Sequence, residues 1–278
     1  MDYMLIVISL VLWGYKSNLF KRSLTNASTM SLTALYAFTQ RGLMFLLGLM
    51  FINQNVLTAF MQPYFYVLML IGFVSSIGAG FLYNKSNATF TTALVSAAAM
   101  ITSLLYANVS AWAVVPVIIC IYCLYTYFKQ LGQQVTWSGV GFSLLLIFVP
   151  TVGYYYYIPL VTEDYGNAMS VYGLSMLIPF ICMSAIQLKK FKWGTDTRTV
   201  IASASISVIG HALVFYAFQI TENKAILLFM LAYEALVTEI SARLTKDSSK
   251  LNLGDRSSSQ FISIIVFCLC SAVVGKFL

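Results

Sequence analysis

The amino-acid sequence predicts an all-α polytopic membrane protein, with about ten transmembrane helices arranged as two inverted five-helix repeats. Three observations carry that expectation. Of 278 residues, 60% are hydrophobic and only 9% charged, whereas a water-soluble domain needs roughly 25% charged residues to cover its surface. The mean hydropathy is +0.84. The apolar residues fall into successive runs close to the ~20 residues that a helix needs to cross a bilayer. The longest polar stretch, residues 245–259, is too short to bury a core of its own.

Ten segments follow in order. The first, at 3–19, is interrupted by Lys16. Segments at 31–52, 65–83, 88–107 and 111–128 complete a first group. The third carries Gly72, Ser76 and Gly80 at four-residue spacing, and the fourth carries Ser96-Ala97-Ala98-Ala99; small faces of this kind let a second helix approach closely. The fifth contains Cys120 and Cys123 in an Ile-Ile-Cys-Ile-Tyr-Cys-Leu-Tyr context. A C-x-x-C spacing elsewhere marks redox or zinc chemistry, but thiols in an apolar run pack as small hydrophobes. The sixth segment, 140–158, closes on Tyr154-Tyr155-Tyr156-Tyr157, expected as an aromatic belt at the headgroup level. Segments at 168–188, 200–219, 224–244 and 260–277 follow. The N-terminus, Met-Asp-Tyr-Met, lacks the basic region and small-residue cleavage site of a signal peptide.

The polar connection at 130–136 lies near the chain midpoint and divides it into repeats at 1–134 and 135–278. Superposing the fourth and ninth segments sets Ala88 over Ala225, each after a short polar turn. Five helices per half is an odd number, so the second half enters from the opposite side, the arrangement on which many secondary transporters build a midplane site. The net charge of +7 is not gathered into a nucleic-acid-binding stripe. Lys21, Arg22, Lys85, Lys129, Lys189, Lys190, Lys192, Arg198, Arg243, Lys246, Lys250 and Arg256 share one set of connections, while the other holds little beyond Lys224, Lys276 and the acidic Glu163-Asp164. Basic loops stay cytoplasmic, which places both termini outside and points to a plasma or inner membrane.

Ionisable residues inside apolar runs are few: Lys16, Arg41, His211, Glu234 and Glu239. A charge at the bilayer centre costs about 2.5–3.5 kcal/mol or more, so it faces a cavity or a partner. Glu234 is read either as an acid that binds a proton or a substrate cation, or as half of a structural ion pair with Arg41. Arg41 suits clamping better than proton transfer, since guanidinium stays charged. Glu239 and Arg243 stand one turn apart and suit a helix-end pair. His211, the sole histidine, is either a proton relay or a hydrogen-bonded packing residue. Trp13, Tyr83 and Tyr233 are aromatic candidates for a cavity wall, as are Tyr15, Tyr106 and Tyr216. No HExxH, His-x-x-x-His, Cys₄ or acidic metal cluster occurs, and no G-x-x-x-x-G-K-[ST] loop; no metal, cofactor or catalytic residue is expected.

Trp13-Gly14 followed by Lys16, Thr39-Gln40-Arg41-Gly42, and Ala232-Tyr233-Glu234-Ala235 together resemble the drug/metabolite transporter superfamily, specifically its ten-helix EamA-like branch. The first matches that family's tryptophan-glycine signature, the second its mid-helix arginine, and the third its penultimate-helix glutamate-proline motif. Ala235 stands where the family has proline, and the termini are oriented opposite to its well-studied members. The resemblance implies that the third, fourth, eighth and ninth helices help line a central cavity. The expected function is secondary transport of a small polar or amphipathic metabolite by alternating access, with proton coupling left open. The alternatives are an integral membrane enzyme acting on a lipid-linked substrate, or a non-catalytic membrane subunit or channel. Expected partners are a solute and the lipid bilayer, without nucleic acid; the internal repeat is consistent with a functional monomer.

Overall fold

The computed structural model describes residues 2–23, 29–50, 61–63, 65–72, 74, 88–107, 112, 114–130, 145, 149–161, 169–170, 173–174, 177, 195–244 and 258–275. Among these residues every regular element is helical and there is no strand. The helices are α1 (Asp2–Ser23), α2 (Thr29–Leu49), α3 (Ala88–Tyr106), α4 (Val114–Gln130), α5 (Val149–Val161), α6 (Thr195–Ile220), α7 (Lys224–Leu231), α8 (Glu234–Leu244) and α9 (Ser258–Gly275). Residues 65–72 are helical as well.

Four stretches are long and apolar enough to cross a membrane: Tyr3–Ser23, Leu32–Leu49, Asp196–Ile220 and Lys224–Ala242. At 1.5 Å per residue, the 22 residues of α1 reach about 33 Å, a full hydrocarbon core. The distribution of polarity agrees. Val7, Val11, Ile118, Ile119, Tyr122, Ile262, Leu269 and Val273 are exposed, while Ser9, Asn18, Gln40, Ser96, Ser207, Glu234 and Thr238 are buried. A surface of large aliphatics around polar contacts between helices suits lipid and not water.

Local chemistry places the helix ends. Asp196 in the first turn of α6 complements the positive end of the helix dipole. The side-chain Oδ1 of Asn223 accepts from the Ile226 N–H at 3.1 Å and caps α7. The three-residue turn Thr221–Asn223 therefore separates α7 from α6.

Several expected boundaries move. α1 runs to Ser23, so Lys21 and Arg22 belong to its last turn and not to a connection; Lys21 is buried. Arg198 lies within α6 and Lys129 within α4. The tyrosine run lies inside α5: Tyr155 is only 2% exposed, and its ring meets that of Tyr154 at 5.2 Å in the main core, while Tyr156 is exposed. Packing in the main core accounts for this inward placement in place of the aromatic belt. The ninth segment is not continuous, as described below. Ser76, Gly80, Tyr83 and Cys182 lie outside the described residues.

α1 packs on both α6 and α8, and Ile6, Leu10 and Trp13 supply its core face. α2 packs on α6; α3 on α5, α7 and α8; α4 on α9. Cys120 and Cys123 are buried in the α4–α9 interface beside Phe267 and Cys268, all as free thiols. The Cys120 thiol donates to the Phe267 carbonyl at 3.6 Å, so these cysteines act as packing residues.

Candidate functional site

α1 brings polar groups from several helices to one level. Trp13 is the middle residue of Tyr3–Ser23, and Gln40, Ser207 and Glu234 stand near the middle of the other three candidate spans. Polar groups at mid-span are costly to leave facing lipid and turn to a partner or a cavity.

On the α6 side, Trp13 lies across Gly210, where a Cβ would run into the indole ring. Glycine at this position leaves room for the largest side chain of α1. The Trp13 Nε1–H points to the Ser207 carbonyl at 3.4 Å, and its ring meets the His211 imidazole at 4.7 Å between centroids. His211 Nδ1 lies 2.8 Å from the same carbonyl. Because a carbonyl only accepts, the proton of this contact is on Nδ1. Gln40 of α2 donates through Nε2 to the Ser207 hydroxyl at 2.6 Å. One turn of α6 therefore ties α1 and α2 together. The Arg41 charge reaches His211 electrostatically, as does that of Lys16.

On the α8 side, the helix is broken. The N–H groups of Ala232 and Tyr233 bond three residues back, to Phe229 O at 3.0 Å and Met230 O at 3.1 Å, and regular helix resumes with Val237 N–H to Tyr233 O at 3.1 Å. The tightened turn separates α7 from α8 without a proline. The Ala235 N–H donates instead to the Ser96 hydroxyl of α3 at 3.2 Å. A neighbouring helix thus satisfies the backbone group released by the break, the condition under which a broken helix is tolerated inside a membrane. Glu234 is the first residue of α8 and only 3% exposed. Among the described residues, no hydrogen bond or ion pair holds its carboxyl, and the Lys16 charge is within electrostatic reach. Tyr233, half-buried at the break, meets Phe229 edge-on at 6.0 Å.

The two sides meet through α1. Gly14 sits directly against the α8 backbone: a Cβ there would lie 2.9 Å from Val237 Cγ1 and 3.0 Å from the Thr238 nitrogen. Asn18, one turn on, donates through Nδ2 to the Gly14 carbonyl at 3.0 Å and the Thr238 carbonyl at 3.1 Å, stitching α1 to α8. The Ser203 hydroxyl donates to the Lys16 carbonyl at 2.8 Å and fixes α1 to α6.

Of the residues singled out from sequence, Trp13 and His211 are in contact, with Arg41 on the same side of α1; Tyr233 and Glu234 form the other side. The charge brought to Glu234 is that of Lys16, while both Arg41 and Lys16 act on His211, because α2 packs on α6 and α1 packs on both α6 and α8. Tyr83 lies outside the described residues, as do the side chains of Glu239 and Arg243. Sequence reading left out Gln40, Ser207, Ser96, Asn18 and Thr238 as site residues. The available signal was a polar side chain at mid-height in an apolar run, which also describes many packing residues. No protein-family model matches the chain, and a search of curated proteins finds no match.

Proposed function

We propose that this chain is a secondary transporter of a small polar or amphipathic metabolite, working by alternating access around a midplane site on α8. The single observation that carries this reading is the break at Ala232–Tyr233, which starts α8 at mid-span on the buried Glu234 carboxyl. Broken helices at mid-depth are how many transporters expose groups to a solute, and an acid buried there faces a cavity or partner. Glu234 binds a proton or a cationic group of the substrate, with the Lys16 charge acting on it. Trp13 and Tyr233 supply aromatic surface on either side of α1.

The helix pairings support two inverted repeats. The α3 contact with α7 and α8 pairs the fourth segment with the ninth, and α4 with α9 pairs the fifth with the tenth. Gly48 against Ser170 pairs the second with the seventh. The packing of α1 on α6 is matched by Gly153 against Ile71, and that of α1 on α8 by α5 on α3. A two-fold relation between halves requires this set. Superposing Ala88 on Ala225 sets Ser96 over Tyr233, so the Ser96–Ala235 bond falls close to the point where the related helices cross. Membership of the EamA-like branch accords with the Trp13-Gly14 pair at the α1–α6–α8 junction and with a break where that family carries proline. The basic connections are assigned to the cytoplasmic face of a plasma or inner membrane.

The test is flux into proteoliposomes across a panel of amino acids, amines and nucleotide sugars. Saturable uptake of one compound is expected, reduced at least about tenfold in Glu234→Gln while the variant elutes as a folded protein; a loss of that size corresponds to ~1.4 kcal/mol. Full transport by Glu234→Gln removes the role of Glu234, and no saturable flux across the panel removes the transporter reading.

A further inference from the structure

The polar face of α8 continues beyond Glu234. Thr238, one turn further and on the same face, is 0% exposed, and its Oγ1 has no hydrogen-bond partner among the described residues. Several other helical hydroxyls among the described residues bond back to their own helix: Ser9 to the Leu5 carbonyl at 2.7 Å, Thr102 to Ala98 at 2.8 Å, Ser205 to Ile201 at 3.0 Å and Ser271 to Phe267 at 2.7 Å. That local bond is the default for a hydroxyl inside a helix, and Thr238 does not make it. Across the seam stands Asn18, 2% exposed. Both of its amide protons are directed to carbonyls, Gly14 and Thr238, which assigns Nδ2 without ambiguity. Its Oδ1 has no partner among the described residues. One acceptor and one hydroxyl, both buried in the same α1–α8 contact, are thus left over. Buried polar atoms of this kind are normally satisfied, and internal water is the usual means.

We propose that Asn18 Oδ1 and Thr238 Oγ1 hold internal water that connects the Glu234 carboxyl with the Lys21–Arg22 end of α1, giving protons a route to Glu234 from that end. The inference rests on Glu234 being a proton-binding group. The helices packed against α8 are α1, α3 and α9. α1 brings Lys16 and, beyond it, Lys21 and Arg22, with Tyr15 exposed on its outer side; α9 brings Cys268 and Cys270; α3 carries only Tyr106, at its end. α8 itself adds Glu239 and Arg243. Lys16, Lys21 and Arg22 all belong to α1, and their charge disfavours a bound metal ion, whereas neutral water carries no such cost. Glycine at position 14 matters here too, because it draws the two backbones close enough for Asn18 to reach across.

Infrared spectroscopy of the purified protein tests the route. The protonated carboxyl band of Glu234 is assigned as the one lost in Glu234→Gln, and its rate of hydrogen-to-deuterium exchange is followed after a switch to heavy water. Thr238→Val and Asn18→Leu each slow that exchange at least about tenfold, and Thr238→Ser keeps the wild-type rate. Wild-type exchange in a folded Thr238→Val protein overturns the route, and this isosteric variant decides alone if Asn18→Leu does not fold. If no carboxyl band disappears in Glu234→Gln, the proton-binding role of Glu234 fails and the route fails with it. The two failures are therefore distinguishable.

Discussion

Replacing Gly14 by alanine probes the contact on which the whole arrangement turns. The new methyl would sit 2.9 Å from Val237 Cγ1 and 3.0 Å from both the Thr238 nitrogen and the Val237 carbonyl carbon. Two of these three neighbours are backbone atoms, so no side-chain rotation relieves the clash and α1 must draw away from α8. Overpacking of this kind costs about 1–3 kcal/mol, and the Asn18 bond to the Thr238 carbonyl, worth ~0.5–1.5 kcal/mol, is stretched with it. Against this stands the gain of alanine over glycine inside a helix, ~1 kcal/mol. Gly42→Ala isolates that gain, because a Cβ at Gly42 meets nothing within 4 Å. The difference between the two variants is therefore the cost of the clash and the stretched bond, about 1.5–4.5 kcal/mol. At roughly 2–4 °C per kcal/mol for chains approaching this size, Gly14→Ala should melt about 3–18 °C below Gly42→Ala. The assay is thermal unfolding of the two variants and wild type in one detergent, followed by helical circular dichroism. Equal melting temperatures would refute the close α1–α8 contact, as would a loss confined to Gly42→Ala.

Two further substitutions test the seams on either side. Ser96→Ala leaves the Ala235 N–H at the helix break without its acceptor, a buried orphan costing about 1–3 kcal/mol; thermal unfolding should register it, and an unchanged melting temperature would mean that α3 does not support the break. Trp13→Ala empties the space over Gly210 and removes the ring against His211. A loss of about 3–5 kcal/mol is expected, read in the same unfolding assay, with a shift of the His211 imidazole resonances as an independent sign that the two rings are in contact.

Composition and hydropathy sufficed for the class of molecule. Nine charged residues in every hundred cannot coat a water-facing surface, and runs of about 20 apolar residues have few outcomes other than a helix in lipid, since lipid cannot satisfy an open backbone. Glu234, His211 and Trp13 were visible for the same reason: ionisable or bulky polar-tipped residues deep in apolar runs are expensive and therefore few. What the one-dimensional pattern did not contain was adjacency. That the Arg41 charge acts on His211 and the Lys16 charge on both His211 and Glu234 follows from α2 packing on α6 and α1 packing on both α6 and α8, which no spacing within one helix encodes. The inward turn of Tyr155 depends likewise on which face of α5 meets α3. The break before Glu234 was decided by tertiary structure as well. Ala235 carries no proline signal, and the turn is tolerated because a hydroxyl on a different helix, Ser96, accepts the backbone hydrogen bond that the helix gives up.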